Sequence, residues 1–577
     1  MLCHNEYSKY LLCHTLVPSG PIPTVGDPEG IYPYESYCET SKRPSFKNFR
    51  FISIENDYLR VEICPDLGGK VHSIFHKRSQ REILFQPGSI RPTRILPRLA
   101  FISGGIETSF PISHTPVQLE TVYYIVKQIA NRLYVWCGEQ ELRYGMQWTV
   151  EYSLGEFDTF LTQRTLFFNP TSQPHPWMAW SNAALPAYAD TQFHFPSGKV
   201  LYHGNEVKHI EWAKDGPRTM KEIDRMAGYF WESAECNAFG VFNPNQGCGL
   251  YHIADPSEVP GIKLWVYGTG KHEKWAHLSA VERRTYVEIQ AGPIKDQSIM
   301  HSLQPNERHL HTEFWIPSSQ CLEINKITTP SVELVSDNQI PLFEWVERSK
   351  TRVWLQLLQA YRDNTPERIP IPPEWHSNEW PPSGIGELGE VIQWAISLSK
   401  SESQELWKYY LAVWYAGCGY KDAALSMLSK THSDWARVFE GRLLRYWYND
   451  VERAAKSLSN IKSHEMALHP QIMIERDIAL SLLKDKSLSE RGKWLNQVNS
   501  LQDDGLTERM ISYLLDAGNV HEAKKLLEST DFEPIHQRYV RTELWGKIQD
   551  HLNQHGTPPP ENIGEDDLAQ FGRYRSY

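Results

Sequence analysis

At 577 residues, 41% apolar and 22% charged, the chain has the composition of a globular protein with ample core and is too long for one ordinary domain. A net charge of −11 argues against a general binder of nucleic acid or of anionic membrane, and nine cysteines without a Cys-x-x-Cys spacing argue against a disulfide framework or a zinc site. Residues 1–18 lack the continuous apolar stretch of a signal peptide, and no apolar run reaches the length that spans a bilayer, so the expected setting is the cytoplasm, with neither membrane nor nucleic acid as partner.

In chain order, residues 1–45 are rich in proline and glycine and read as an extended arm, with 18–33 laid over a surface. From Phe49 the texture becomes alternating. Segment 51–63 alternates apolar and polar residues around an Asn56-Asp57 turn, Asp66-Leu67-Gly68-Gly69 is a second turn, and 70–75 is the next strand. Segments 122–129, 132–136, 146–152 and 159–169 continue the pattern, which persists to about residue 317. This density of strands predicts a mostly β, antiparallel region over 46–320. It excludes a doubly wound α/β fold, because no helix-length segments alternate with the strands.

Past about residue 335 the apolar period changes from 2 to 3.6, and helices are predicted at 388–400, 405–417, 421–429, 436–448 and 451–459. Passages 417–425, 448–456 and 517–525 resemble one another and carry Ala424, Ala455 and Ala523, although Ala424 and Ala455 stand only 31 residues apart, so the array is irregular. Ala455 and Ala523 stand twice the tetratricopeptide period of about 34 residues apart, with 486–495 as a degenerate unit between them. The expected organisation is a Pro-rich connector over 321–385, a helical repeat domain over 386–557, and a tail over 558–577 whose aromatic end, 571–577, docks back onto the body.

Chemistry concentrates in a few places. The run Ile102-Ser103-Gly104-Gly105-Ile106-Glu107-Thr108-Ser109-Phe110-Pro111 sets one carboxylate in an apolar stretch after a glycine pair, with His114 one turn on. Glu288 is a second carboxylate of this kind, in an alternating segment that ends in Gly292. Carboxylates held in pockets are often working acids or bases, so Glu107, Glu288 and His114 are the catalytic candidates. The plainer reading of either glutamate is a strand-holding pair with Arg98 or Lys263.

Twenty tryptophans and 28 tyrosines stock the chain for stacking on sugar rings, although core packing is the ordinary use of each. Residues i and i+2 share a strand face, so Trp180 with Asn182, Lys263 with Trp265, and Glu288 with Gln290 each place a ring or carboxylate beside a polar group. These residues, with Arg98 and His252, form the candidate substrate-binding set; Trp148 and Trp177 are further stacking candidates. The plainer reading of His252 is a satisfied sheet histidine. No phosphate loop, serine elbow or His-Glu-x-x-His spacing occurs, and neither cofactor nor metal is expected.

The motifs Leu-Arg-Val-Glu-Ile-Cys-Pro-Asp-Leu-Gly-Gly (59–69), Phe-Ile-Ser-Gly-Gly-Ile-Glu-Thr-Ser-Phe-Pro (101–111), Trp-Ser-Asn-Ala-Ala-Leu-Pro (180–186), Gly-Ile-Lys-Leu-Trp (261–265) and Tyr-Val-Glu-Ile-Gln-Ala-Gly (286–292) resemble the DUF5107 family, usually followed by tetratricopeptide-like repeats. The order of a Gly-Gly turn, a central Ser-Asn, a late Glu-x-Gln and the turn Gln304-Pro305-Asn306-Glu307 is more distantly similar to galactose mutarotase and its aldose 1-epimerase relatives. That resemblance implies a β-supersandwich binding a sugar on the concave face of one sheet, with Glu288 where the general base would stand. The family's central Asn-His pair departs here, since Ser181-Asn182-Ala183 keeps the asparagine and lacks the histidine; His114 or His194 is the available substitute.

Three functions follow as expectations. The first is a glycoside hydrolase acting on small oligosaccharides or glycosides, with Glu107 as the raised-pKa acid beside Phe101, Ile106 and Phe110, and Glu288 as base or nucleophile. The second is an aldose 1-epimerase-like enzyme. The third is a non-catalytic sugar-binding scaffold whose helical repeats recruit a protein partner or self-associate.

Overall fold

The computed structural model describes residues 2–25, 31–94, 99–112, 114–204, 206–267, 284–295, 301–483, 487–497, 503–532, 538–560 and 563. Its strands form where the alternation predicts them. Ser45–Glu55 and Leu59–Cys64 are joined at Asn56, whose Oδ1 accepts from the backbone N–H groups of Tyr58 and Leu59 at 2.8 Å each. The Asn56 amide donates to the carbonyls of Gly155 and Asp158, which pins this hairpin to another one about a hundred residues on. Gly68 and Gly69 take the left-handed conformation, with φ of 66° and 74°, and start the strand Lys70–His76.

Among the described residues the strands assemble into two large antiparallel sheets. The twelve-stranded one runs, in spatial order, through Cys3–Cys13, Ser45–Glu55, Leu59–Cys64, Lys70–His76, Ile106–Ser109, Trp180–Pro186, Tyr286–Gly292, Gly261–Val266, Ala227–Trp231, Lys199–His203 and Val207–Glu211, with Arg81–Glu82 added beside Lys70–His76. The eight-stranded one contains Tyr123–Ile129, Arg132–Gln140, Gln147–Gly155, Leu161–Phe168, Arg308–Ser318, Cys248–Ala254, Phe239–Asn243 and Gln192–His194. One apolar core joins them, with Val71, Ile106, Ala183, Ile289 and Leu264 from the first sheet meeting Val135, Trp148, Leu161 and Trp315 from the second. Period 2 then sends the residues between these inward-facing ones to the outer face of the twelve-stranded sheet.

The second half is helical. Ser401–Gly417 packs on Lys421–Ser429, Asp434–Tyr448 on Val451–Ser459, and Asp504–Asp516 on Val520–Ser529. Ala424, Ala455 and Ala523, the alanines shared by the three similar passages, are buried in the helical cores. Among the described residues no helix is long and apolar enough to cross a membrane.

Two sequence expectations about the segments between these bodies differ from the structure. Residues 1–45 are not all arm: Cys3–Cys13 is a strand paired along its whole length with Ser45–Glu55. Beyond it, Ile22, Val25 and Tyr32 pack into the helical core, the Tyr32 hydroxyl donating to the carbonyl of Pro381 at 2.5 Å. The 321–385 stretch is not a bare connector either. Val335, Ile340 and Phe343 cover the outside of the eight-stranded sheet against Tyr134, Trp136 and Leu166, and Arg352–Arg362 is a helix whose Trp354 and Leu357 belong to the helical core. Proline content identified a non-strand segment and concealed how tightly it packs. Ile563 joins the core of the last helices, and the aromatic end of the tail lies outside the described residues.

Candidate active site

Strand register gathers most of the predicted residues on the outer face of the twelve-stranded sheet. Glu107 lies opposite Asn182, Asn182 opposite Gln290, Gln290 opposite Lys263, and Lys263 opposite Phe230, one row crossing five strands. Ile106 pairs with Val71, so the same antiparallel register carries the row on to Lys70 beside Glu107. The next row on this face holds Ala184, Glu288, Trp265 and Gly228. Trp180 stands opposite Ser109 in the row on the other side.

The glycine pair permits this arrangement. Gly104 and Gly105 have φ of 88° and 74°, and a Cβ on Gly105 would fall 2.3 Å from the Val71 carbonyl and 2.9 Å from the Lys70 side chain. Only glycine lets the Glu107 strand come this close to Lys70.

Glu107 is buried and accepts four hydrogen bonds. Its Oε1 receives the Ser109 hydroxyl at 3.1 Å, the Thr115 N–H at 3.0 Å and the Gln118 amide at 3.1 Å, and its Oε2 lies 3.1 Å from His114 Nδ1. Burial alone would raise this carboxyl, but His114, Lys70 and the Thr115 N–H outweigh it and hold it below its ordinary value. Glu288 has the opposite balance. Burial raises it, the neighbouring Glu107 charge adds to that, and His114, Asn182 and Tyr267 offset only part. The amide of Gln290 reaches Glu288 Oε2 at 3.3 Å.

The sequence expectation of Glu107 as the raised acid is therefore reversed. Of the apolar neighbours that suggested it, Ile106 and Phe110 point into the sandwich core, while Phe101 packs on His114. Lys70, buried beside both glutamates, is depressed by desolvation against their opposing pull, and its ammonium donates to the Ile102 carbonyl at 3.3 Å.

Around these groups His114 stands edge-on to Trp180, with centroids 6.0 Å apart, and tilted against Phe101 at 5.1 Å. Tyr286 stacks between Phe85 at 4.6 Å and Tyr267 at 4.3 Å. The Lys263 ammonium sits 4.5 Å above the Trp180 ring and 5.5 Å from Phe230. A ring face covered by an ammonium is closed to a sugar, so Trp180 holds Lys263 rather than serving as the expected platform. Trp265 is half-buried, edge-on to Phe230 at 5.6 Å.

A family model for a domain of unknown function, DUF5107, matches residues 26–318. The chain belongs to the DUF5107 family. A second model, described as a C-terminal domain, matches residues 354–548. The crystal structure of a TPR-domain containing protein from Parabacteroides distasonis is 44% identical, with 99% of each chain covered and a TM-score of 0.95. Weaker likenesses include a galactose mutarotase-like protein from Clostridium acetobutylicum, at 12% identity, 47% of this chain and 95% of that one, TM-score 0.35. A galactose mutarotase related enzyme from Lactobacillus acidophilus is 11% identical over 46% of this chain and 97% of that one, TM-score 0.35.

Other predicted residues fall elsewhere in this DUF5107 chain. His252 is on the eight-stranded sheet, inside the sandwich, with Nε2 3.2 Å from Glu313 Oε1 and the ring edge-on to Trp315 at 4.7 Å. It faces the core, not the sheet face bearing Glu107, and is a sheet histidine satisfied at Nε2 alone, its buried Nδ1 having no hydrogen-bond partner. His194 is also on the eight-stranded sheet, against Tyr251, and does not replace the missing central histidine. Trp148 and Trp177 are core residues. Arg98 lies outside the described residues.

Sequence reasoning missed Lys70, Thr115, Gln118 and Tyr267. Lys70 carried one usable signal, its place directly after a left-handed glycine pair. The other three come from loops or strand ends whose return to the sheet no local period encodes.

Proposed function

We propose that the outer face of the twelve-stranded sheet is the active centre of a sugar-processing enzyme of aldose 1-epimerase type, with Glu288 and His114 as the acid/base pair. The observation that carries this reading is the saturation of Glu107. A carboxylate that already accepts four hydrogen bonds is poorly placed to attack an anomeric carbon or to activate water, as a paired-carboxylate hydrolase requires. The same four bonds suit it to hold an imidazole.

With the proton on His114 Nδ1 directed at Glu107, the lone pair of Nε2 is left to accept a proton. Glu288, raised by its surroundings, holds a proton at pH values where an ordinary carboxyl has lost it. One group removes the proton from the anomeric hydroxyl while the other protonates the ring oxygen. The C1–O5 bond breaks, the open-chain aldehyde turns its other face, and the reverse transfers close the ring as the other anomer. Asn182 and Gln290 stand in the same row to bond sugar hydroxyls.

The test is anomer interconversion of freshly dissolved galactose and glucose, followed by polarimetry and NMR, with nitrophenyl glycosides alongside. Faster equilibration with wild type, lost in Glu288→Gln and His114→Asn, supports the reading. Release of nitrophenol that Glu107→Gln abolishes would replace it with the hydrolase.

A further inference from the structure

A cavity of about 450 Å³ lies on the far side of the residues that hold Glu107, within the roughly 300–1,000 Å³ of small-molecule sites. Thr115 and Gln118 both line it, and both donate to Glu107 Oε1, so they form the wall between cavity and catalytic face. Phe101 also belongs to both, lining the cavity and packing on His114. The remaining walls include the N-terminal segment with Ile31 and Glu35, Pro92, the 116–120 loop with Leu119 and Glu120, and Lys350 ahead of the first long helix.

Its polar groups include two carboxylates, Glu35 and Glu120, and two lysines, Lys47 and Lys350, set among apolar surfaces. Glu35 accepts from the Tyr37 hydroxyl at 3.1 Å and the Asn378 amide at 3.0 Å, with the Lys350 ammonium 3.7 Å away. Glu120 receives Arg348 Nε at 2.9 Å. Burial and the neighbouring Glu35 keep Glu120 raised despite that guanidinium. Two carboxylates, a phenol and two ammonium groups around Phe101, Ile31 and Leu119 offer acceptors and donors for hydroxyl groups beside faces for C–H surfaces, the pattern that binds a polyhydroxylated ring.

We infer that this cavity binds a second sugar unit and is coupled to Glu107 through Gln118 and Thr115. The choice of a sugar rests on the proposed function; the cavity and its shared wall do not. A ligand hydroxyl that takes the Gln118 amide removes a donor from Glu107, and the Glu107 carboxyl rises in consequence. The unit is either the second ring of one substrate or a separate free sugar.

Calorimetric titration of the full-length chain with galactose and with lactose separates these sources. Leu119→Trp fills the cavity, and Lys350→Met removes a rim charge without adding bulk; thermal melting of both establishes that they fold. Lactose binding weakened at least tenfold in both variants, with galactose binding unchanged, assigns the cavity to the second ring of one substrate. Two equivalents of galactose in wild type, falling to one in Leu119→Trp, assign it to a separate sugar. Stoichiometry and affinity unchanged for both sugars in both variants, or no binding of either sugar by wild type, overturn the inference. Cavity-dependent binding in a wild type that does not interconvert anomers would instead overturn the proposed function and leave this site standing.

Discussion

His114 Nδ1 lies 3.1 Å from Glu107 Oε2, with both side chains largely closed off from solvent. The pair orients the imidazole, so under the proposed function a change at Glu107 acts through His114. Glu107→Gln is expected to lower kcat about 10–100-fold while leaving KM near wild type. Glu288→Gln, which removes a proton-transferring group itself, is expected to cost about 10²–10⁴-fold. Equal losses in the two variants would contradict this division of roles; anomer-exchange rates by NMR measure both.

The two glutamates bias stability in opposite directions. Glu107 is depressed in the fold, so its contribution is present above its unfolded value of 4.5 and is lost as pH falls through the folded value. Glu288 is raised, so the folded protein keeps a proton that the unfolded chain has released, and stability falls as pH rises from 4.5 through the folded value. Urea midpoints should therefore show Glu288→Gln gaining on wild type toward neutral pH. Glu107→Gln should lose against wild type at neutral pH, with the gap closing in acid.

Glu313 is fully enclosed between the sheets, receiving the Ser181 hydroxyl at 2.6 Å and facing His252 and His311 at 3.2 and 3.3 Å. Burial raises its carboxyl, but the two histidines pull it down to about 2. Its contribution is consequently retained above 4.5 and lost only as pH falls through about 2. Glu313→Gln should cost about 3 kcal/mol at neutral pH, read as a drop in the denaturant midpoint with the slope unchanged.

Arg348 bridges the β and helical parts, its guanidinium reaching Glu120 at 2.9 Å and Glu139 at 2.5 Å. Both carboxyls are already raised by burial against the pull of that guanidinium. Arg348→Met should leave the enclosed Glu139 without its guanidinium beside a partly exposed Glu120, and destabilise by about 3 kcal/mol near neutrality. Because either carboxyl can then take up a proton, the melting temperature should recover toward wild type on acidification. A deficit independent of pH would mean that lost packing, not charge, dominates.

Alternation made the candidate face legible: once Ile106, Ala183 and Ile289 are inside, Glu107, Asn182, Glu288 and Gln290 must share the other side. What alternation does not encode is which strands are neighbours, and that is where the reading failed. His252 alternates as well as Glu288 does, yet its strand belongs to the other sheet and its ring faces the core. Lys70, in the strand at 70–75, comes beside Glu107 only through the strand register. The order of the two carboxyl pKa values was misread because the sequence neighbours of a strand residue point away from it, while its real surroundings come from a loop seven to eleven residues on. Cys3–Cys13 escaped notice because an exposed edge strand carries polar residues on both faces.

The packing of Ile22, Val25 and Tyr32 among the helices bears on how the chain is made. The Tyr32 hydroxyl meets a carbonyl 349 positions later, and the Ile22 N–H meets the Gln471 side chain 449 positions later. A nascent chain that has emitted every strand of both sheets still has these three apolar side chains without their helical partners. They stay available to other chains or to chaperones until the ribosome has delivered the helices. Seating of Ile22, Val25 and Tyr32 therefore waits for the helices, although the strands on either side of them pair within the sheets, and a fragment ending after the sheets would carry these side chains unsatisfied.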